Sequence, residues 1–170
     1  MDGGLEPWRI PQMTTSAIVD ELLKIPVKDA GTVFSEDEAY WIKDHYPWIP
    51  EWYLTVMRSH RLGKLSYFTN TGSRGSAGAD LSIGWLSGDQ WIDEARYPRA
   101  GVPLLMRYLP FAVSVDGGGN VWCFGRYNHV PCVMEIYHDA LSDYGVGSNN
   151  WHRVHYDNIT EFVSGLRDPT

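Results

Sequence analysis

The sequence predicts a single α+β domain with a largely antiparallel (mixed) sheet of about five to six strands, covered by helices. Its 170 residues fit one domain, and 44% of them are hydrophobic, enough for one sizeable core. Apolar residues at helical spacing dominate the first third of the chain, while alternating patterns and tight turns dominate the middle. Because elements of one type come in runs rather than in βαβ alternation, the order is typical of an α+β fold.

The first predicted element is a short helix near the N-terminus. Ile18, Leu22 and Ile25 recur at helical spacing until Pro26 ends the pattern. We place this helix in an N-terminal extension, residues 1–33.

A helical hairpin is predicted next, over residues 35–61. Its first helix, residues 35–46, opens with Ser35-Glu36-Asp37-Glu38, a capping-box pattern whose first and last side chains satisfy free backbone N–H groups. Pro47 ends that helix, and Pro50 is predicted to be the first residue of the second.

The middle of the chain has the composition of strands. Residues 64–70 are rich in β-forming side chains, and in residues 81–85 apolar positions alternate with Ser82 and Gly84. Residues 69–78 are rich in Gly, Ser and Thr, which predicts a flexible connection between these strands.

A second capping-box pattern, Ser87-Gly88-Asp89-Gln90, predicts a short helix over residues 88–95. We expect this helix to carry Trp91 and Ile92 inward and its acidic side chains toward water.

The clearest hairpin joins a strand at 109–115 to a strand at 121–124 through the Gly-rich turn 116–120, and a third strand is predicted at 131–137. Glycines there supply positive φ at a tight turn. Phosphate binding would require a helix after the glycines, and a strand follows instead.

The end of the chain is predicted to hold a polar loop, residues 138–150, and a helix that starts at Asp157 or Asn158 and stops before Pro169. The apolar positions of this helix are Ile159, Phe162, Val163 and Leu166.

The charge balance favours a basic partner. Lys and Arg number 14 and Asp and Glu 21, a formal charge of −7. A negative field repels phosphate backbones, so we expect no direct binding of nucleic acid or of an anionic membrane. The sequence has no signal-peptide stretch and no apolar run near the roughly twenty residues that a bilayer requires, which predicts a cytoplasmic protein.

Candidate metal and redox residues are few. Cys123 and Cys132 are predicted to be buried and reduced, with a disulfide as the alternative. His152 and His155 would suit a zinc site on a helix, but no third ligand follows at recognisable spacing. We therefore predict no metal and no cofactor.

No catalytic residue is predicted, because the sequence has no G-x-S-x-G elbow and no Cys–His signature. Asp116 with Asp139 or Asp143 stays open as an acid/base pair, against the alternative that these carboxylates are simply solvated.

Two acidic segments are candidates for binding a protein partner. Carboxylates flanked by exposed aromatic side chains would fit a basic groove, since charge speeds encounter and aromatic anchors supply affinity. The alternative is an ordinary solvated surface. The predicted partner-binding residues are Asp89, Trp91, Asp93, Glu94, Asp139, Asp143 and Tyr144.

Four segments together resemble the SUKH superfamily, which contains the yeast cell-wall synthesis regulator and many bacterial toxin-immunity proteins. The resemblance covers residues 34–166. It rests on the helix at 35–46 with the following Tyr46-Pro47-Trp48-Ile49-Pro50-Glu51-Trp52-Tyr53-Leu54, on Leu109-Pro110-Phe111-Ala112, on Asp116-Gly117-Gly118-Gly119-Asn120-Val121-Trp122-Cys123-Phe124, and on Ile159-Thr160-Glu161-Phe162-Val163. The chain departs from the family pattern at Thr69-Asn70-Thr71-Gly72 and at Gly125-Arg126.

The resemblance implies an immunity protein that binds a cognate toxin, in the leading hypothesis a nuclease, and blocks its active site. A regulatory scaffold like the family's eukaryotic branch is the first alternative, and a small hydrolase is the second.

Overall fold

The computed structural model describes residues 15–69, 81–96, 104, 106–115, 119–127, 130–137 and 152–168. In this part of the chain the helices are α1 (Thr15–Leu22), α2 (Glu36–His45), α3 (Glu51–Ser59), α4 (Gly88–Arg96) and α5 (Ile159–Gly165). The strands are β1 (Ser66–Thr69), β2 (Leu81–Trp85), β3 (Leu109–Ser114), β4 (Val121–Tyr127), β5 (Val130–Ile136), β6 (His152–Tyr156) and β7 (Leu166–Arg167).

The strands form one sheet in the order β6-β5-β4-β3-β2-β1-β7, and every neighbouring pair is antiparallel. Strands β1 to β6 follow one another as a meander, and β7 returns to the far edge beside β1. This confirms the predicted α+β class. The seven strands exceed the five to six expected, because β6 and the two-residue β7 were not predicted.

The sheet is strongly curled. The hydroxyl groups of Thr69 on β1 and Tyr156 on β6 are hydrogen-bonded to each other, although four strands separate β1 from β6 in the sheet. The sheet must therefore curve enough to bring these two strands together. Register shifts interrupt β3–β4 pairing at Pro110 and β5–β6 pairing at Val133. Bulges of this kind bend a strand and increase its twist.

The concave face of the curl holds the main core. Phe111 and Phe124 stack with ring centroids 4.1 Å apart, and Phe162 of α5 packs on Phe111 at 5.4 Å. From α3, Trp52 meets the edge of Phe124 at 5.9 Å. The helices therefore line the inside of the sheet rather than a flat face.

The hairpin helices begin and end close to where the sequence places them. Ser35 and Glu38 form the complete capping box: the Glu38 amide donates to the Ser35 hydroxyl at 3.2 Å, and the Ser35 amide donates to the Glu38 carboxylate at 2.7 Å. Pro50 is the N-cap of α3 rather than its first residue, with Glu51 following. The first helix ends at Leu22, three residues before Ile25.

The predicted capping box of α4 is only half formed. The Gln90 side chain accepts from the Ser87 amide at 3.1 Å, as the pattern requires. The Ser87 hydroxyl, however, donates to the Asp89 carboxylate instead of accepting from the helix backbone. Because Asp89 is a nearby and charged acceptor, its carboxylate accepts the hydrogen bond from the Ser87 hydroxyl.

The final helix differs from its prediction at one end. Asn158 caps α5 by accepting from the Glu161 amide at 2.8 Å, but the helix stops at Gly165. Leu166, expected inside the helix, instead pairs with Thr69 as part of β7. Pairing with the sheet edge thus overrides helical spacing at this residue.

The other face of β4, β5 and β6 carries a second apolar cluster, packed against Tyr108. Its buried members are Val121, Cys123, Cys132, Met134, Ile136 and Val154. None of the described helices has the length and apolar character needed to cross a bilayer.

Candidate functional site

The predicted acidic residues of α4 lie at the surface, but the aromatic side chain predicted beside them does not. Asp89 and Asp93 are exposed, and Glu94 is partly buried. Trp91 is only 1% exposed, and its Nε1 donates to the carbonyl oxygen of Pro110 at 2.9 Å. The prediction of Trp91 as an exposed anchor is therefore wrong, because this position faces the sheet.

The remaining predicted partner-binding residues, Asp139, Asp143 and Tyr144, lie outside the described residues. Asp116, one candidate of the acid/base pair, does too.

An exposed tyrosine on α2 was missed by the sequence predictions. Tyr40 is 74% exposed, which makes it the most exposed of the large hydrophobic side chains recorded in the described chain. Asp37 and Asp44, three residues before and four after, are also exposed. Residues at this spacing share a helix face, and the inward side of α2 is marked by buried Ala39 and Ile42. The capping box and these two apolar positions were the signal that could have identified this stripe.

Helices α2 and α4 are in direct contact. The Glu38 carboxylate lies so close to Gly88 that a Cβ there would collide with it. The Arg96 guanidinium lies 5.1 Å from the centre of the Trp41 ring, a cation–π contact. From the exposed residues of these two neighbouring helices, which also include Arg96, we select five and define them as the α2–α4 surface: Asp37, Tyr40, Asp44, Asp89 and Asp93.

The α2–α4 surface is negatively charged at neutral pH. The Ser87 hydroxyl, by donating to Asp89, lowers the pKa of that carboxyl below its ordinary value. Lys64 lies 3.9 Å from Asp89 and offsets part of its charge. Within the described chain, no ion pair involves Asp37 or Asp93.

A polar network lies buried in the apolar surroundings of the sheet, and Glu135 of β5 is its centre. One carboxylate oxygen accepts from Asn120 Nδ2 at 2.8 Å and from the Ser114 hydroxyl at 3.2 Å. The other lies 2.8 Å from Nε2 of His155 on β6. Because a carboxylate only accepts, this imidazole nitrogen carries the proton.

Trp122 closes the network into a ring. Its Nε1 donates to the Ser114 hydroxyl at 2.9 Å, and its ring stacks on the His155 imidazole with centroids 4.6 Å apart. His155 is 0% exposed, and its Nδ1 has no hydrogen-bond partner among the described residues. The network therefore joins β3, β4, β5 and β6.

Burial and hydrogen bonding act in opposite directions on Glu135. Desolvation is the largest single influence and raises the pKa of the carboxyl, but the donors His155, Asn120 and Ser114 together lower it by more. The result is a pKa below the ordinary value, so the buried carboxylate is ionised at neutral pH.

The order of groups in this network is not that of a nucleophilic triad. In such a triad a histidine lies between the serine and the acid and takes the hydroxyl proton. Here Glu135 lies between Ser114 and His155, so the serine hydroxyl points at a carboxylate and is not activated by the imidazole. The geometry suits a role in holding strands together.

The zinc alternative depended on a helix at His152 and His155, and this segment is strand β6. His152 pairs with Ile136 in the register, whereas His155 faces Glu135 and Trp122 on the concave side. Among the residues that the structure describes, no group of three or more His, Cys, Asp or Glu is arranged to hold a metal ion.

The two cysteines lie buried on adjacent strands and form no disulfide with each other. Cys123 lies opposite Met134, and Cys132 lies opposite Gly125, which makes the two thiols diagonal neighbours. Diagonal positions in an antiparallel pair are about 7–8 Å apart, beyond ordinary disulfide geometry.

A sequence signal for Glu135 did exist. It is the single charged residue in the apolar stretch Val133-Met134-Glu135-Ile136. A charge in a buried strand requires a partner, so the position alone could have predicted a polar network. The partners could not have been named, because they come from β3, from the residue before β4 and from β6.

Comparisons of the chain with protein-family models, curated proteins and solved structures gave no match.

Proposed function

We propose that this protein is a cytoplasmic immunity protein of the SUKH type, which binds a cognate bacterial toxin and occludes its active site. The observation that carries the proposal is the α2–α4 surface, where a largely exposed tyrosine stands among carboxylates. The sequence resemblance supports the choice of an immunity protein over other protein-binding modules.

The chemistry of this surface fits a basic cleft. A nuclease cleft holds phosphates and is therefore lined by Lys and Arg, which attract carboxylates in the same way. Asp37, Asp44 and Asp93 would take the places of phosphates and steer the approach of the two proteins. A nuclease is accordingly the toxin class that we propose.

Tyr40 would act as the anchor in this complex. Tyrosine is enriched among the residues that carry most binding energy, because it buries a large rigid ring and keeps a hydroxyl for a hydrogen bond. Its position between Asp37 and Asp44 places an apolar contact at the centre of the charged stripe. Tyr40 at the centre and carboxylates around it match the usual division between interface core and rim.

The first step of the test is to look for a toxin-like gene immediately upstream, and the second is calorimetric titration of the full chain with the inactivated product of that gene. We expect tight binding that weakens as salt is raised, because the charges are at the surface. Tyr40→Ala should weaken binding by roughly thirtyfold, about 2 kcal/mol. Asp37→Asn should mainly slow association, which stopped-flow measurements would resolve.

Matched controls come from exposed residues elsewhere in the chain. Val115, 53% exposed at the end of β3, provides Val115→Ala as the control for loss of apolar surface. Asp20→Asn on α1 provides the control for loss of one charge. The proposal fails if the upstream product neither binds nor is inhibited at low salt. The role of the α2–α4 surface fails if Tyr40→Ala binds as tightly as the Val115→Ala control.

A further inference from the structure

Strand β6 is held in place by two polar contacts on the concave side of the sheet. His155 Nε2 donates to the Glu135 carboxylate across the β5–β6 pair at 2.8 Å. The Tyr156 hydroxyl is hydrogen-bonded to the Thr69 hydroxyl on β1. The register shift at Val133 allows the neighbours His155 and Tyr156 to make both contacts on the same side.

The next element, α5, depends on the same strand. Tyr156 packs against Phe162 of α5 with ring centroids 5.4 Å apart. Gly165, at the end of α5, lies directly beside the Tyr156 hydroxyl. A helix of seven residues does not form stably alone in water, so α5 is stable only while it is docked.

The hydrogen-bonding groups around Glu135 are complementary to an ionised carboxylate. Asn120, Ser114 and His155 each direct a hydrogen at it, so a proton on the carboxyl would face a donor that already occupies the site. Of the basic residues around it, β6 contributes His155 and, directly opposite in the register, Arg153. The hydrogen bond from His155 favours the carboxylate.

The other elements packed near Glu135 bring little charge. Strands β3 and β4 face it with the uncharged Ser114, Asn120 and Trp122. On α5 the exposed Glu161 is the acidic group, and its charge acts on Tyr156.

We propose that the Glu135–His155 pair is an acid-sensitive latch: protonation of Glu135 releases β6 and, with it, α5 from the curled sheet. The inference goes beyond the proposed function and does not depend on it. It treats residues 152–165 as a unit that opens before the rest of the fold, driven by the loss of a buried charge-assisted hydrogen bond.

The direction of the pH effect follows from Glu135. Its folded-state pKa lies below the ordinary value, so the stabilisation is complete above the ordinary glutamate pKa of about 4.3 and is lost as the pH falls toward the folded pKa. Uptake of one proton raises the opening constant up to about tenfold per pH unit within that window.

Hydrogen exchange of the full chain, read by peptide mass spectrometry and corrected for intrinsic rates, tests the latch. As the pH is lowered from neutral to below about 4, we expect the amides of β6 and α5 to lose protection before those of β2 and β3. Equal loss across the sheet would overturn the proposal. Trp122 fluorescence, isolated by difference against Trp122→Phe, should change in the same pH range because its ring stacks on His155.

Two variants separate the latch from general acid unfolding. Glu135→Gln cannot ionise, so opening of β6 and α5 should no longer depend on pH, whereas Asp20→Asn on α1 should behave as wild type. If Glu135→Gln does not fold, Ser114→Ala decides the question, because loss of one donor raises the pKa of Glu135. The pH-dependent rise in opening should then be smaller and should be complete at a higher pH, and an unchanged pH dependence would refute the latch.

Discussion

Truncation of Phe162 to alanine should remove a large share of the stability of this protein. The side chain is 0% exposed, and its ring lies 5.4 Å from Phe111, 5.4 Å from Tyr156 and 6.3 Å from Phe124. Phe→Ala in a packed core costs about 3–5 kcal/mol through lost burial and the cavity left behind. We expect the upper half of that range, because three aromatic contacts are lost together.

Urea unfolding followed by circular dichroism measures this loss. Domains have total stabilities of about 5–15 kcal/mol, so the variant should lose roughly a third or more. At about 2–4 °C per kcal/mol for a chain of this length, the Tm should fall by about 8–20 °C. The matched control is Val163→Ala, the next residue of α5, which is partly buried at the edge of the same core and should cost about 1 kcal/mol.

The comparison with Val163→Ala decides whether α5 is docked inside the curl. If Phe162→Ala and Val163→Ala cost the same, Phe162 does not fill the concave core and the packing argument is refuted. A loss below about 1.5 kcal/mol for Phe162→Ala would have the same meaning, since it falls under the range for a buried aromatic ring.

Two further outcomes are expected. Burial, and to a smaller extent the neighbouring Cys132, raise the pKa of the Cys123 thiol well above its ordinary value. Because both cysteines are buried, Ellman's reagent should react with neither thiol in the native protein and with both in denaturant. A fast reaction of the native protein would show that the outer face of β4 and β5 is accessible. Gly31→Ala should cost about 1–3 kcal/mol in urea unfolding, because a Cβ would collide with the carbonyl oxygen of Arg61. Gly84→Ala, whose nearest contact would be a side-chain methyl at 3.3 Å, is the control, and equal costs would contradict this explanation.

The local elements could be predicted because their signals are local. The capping box from Ser35 to Glu38 fixes the start of α2 through hydrogen bonds three residues apart. The Gly-rich sequence before Val121 is also a local signal, and the strands predicted on both sides of it, β3 and β4, appear where they were expected. Strand β6 was missed, because His152-Arg153-Val154-His155-Tyr156 has a single aliphatic residue and no clear alternation.

The candidate site was predicted only in part, for a related reason. The charged positions Asp89 and Asp93 follow from helical spacing, which also allowed the inward direction of Trp91 to be predicted. The prediction of Trp91 as an exposed, partner-binding side chain disregarded this helical spacing. Tyr40 was missed because the inward side of α2, marked by Ala39 and Ile42, was not used to find the opposite, exposed side.

The sequence by itself determined the α+β class, the bounds of most helices, the central hairpin and the excess of negative charge, all of which depend on composition or on residues a few positions apart. The tertiary structure alone decided the curl of the sheet and the partners of Glu135. Thr69 and Tyr156 are 87 positions apart, and Glu135 and His155 are 20 apart. Such contacts depend on how the whole chain packs, and no pattern within a short segment specifies them.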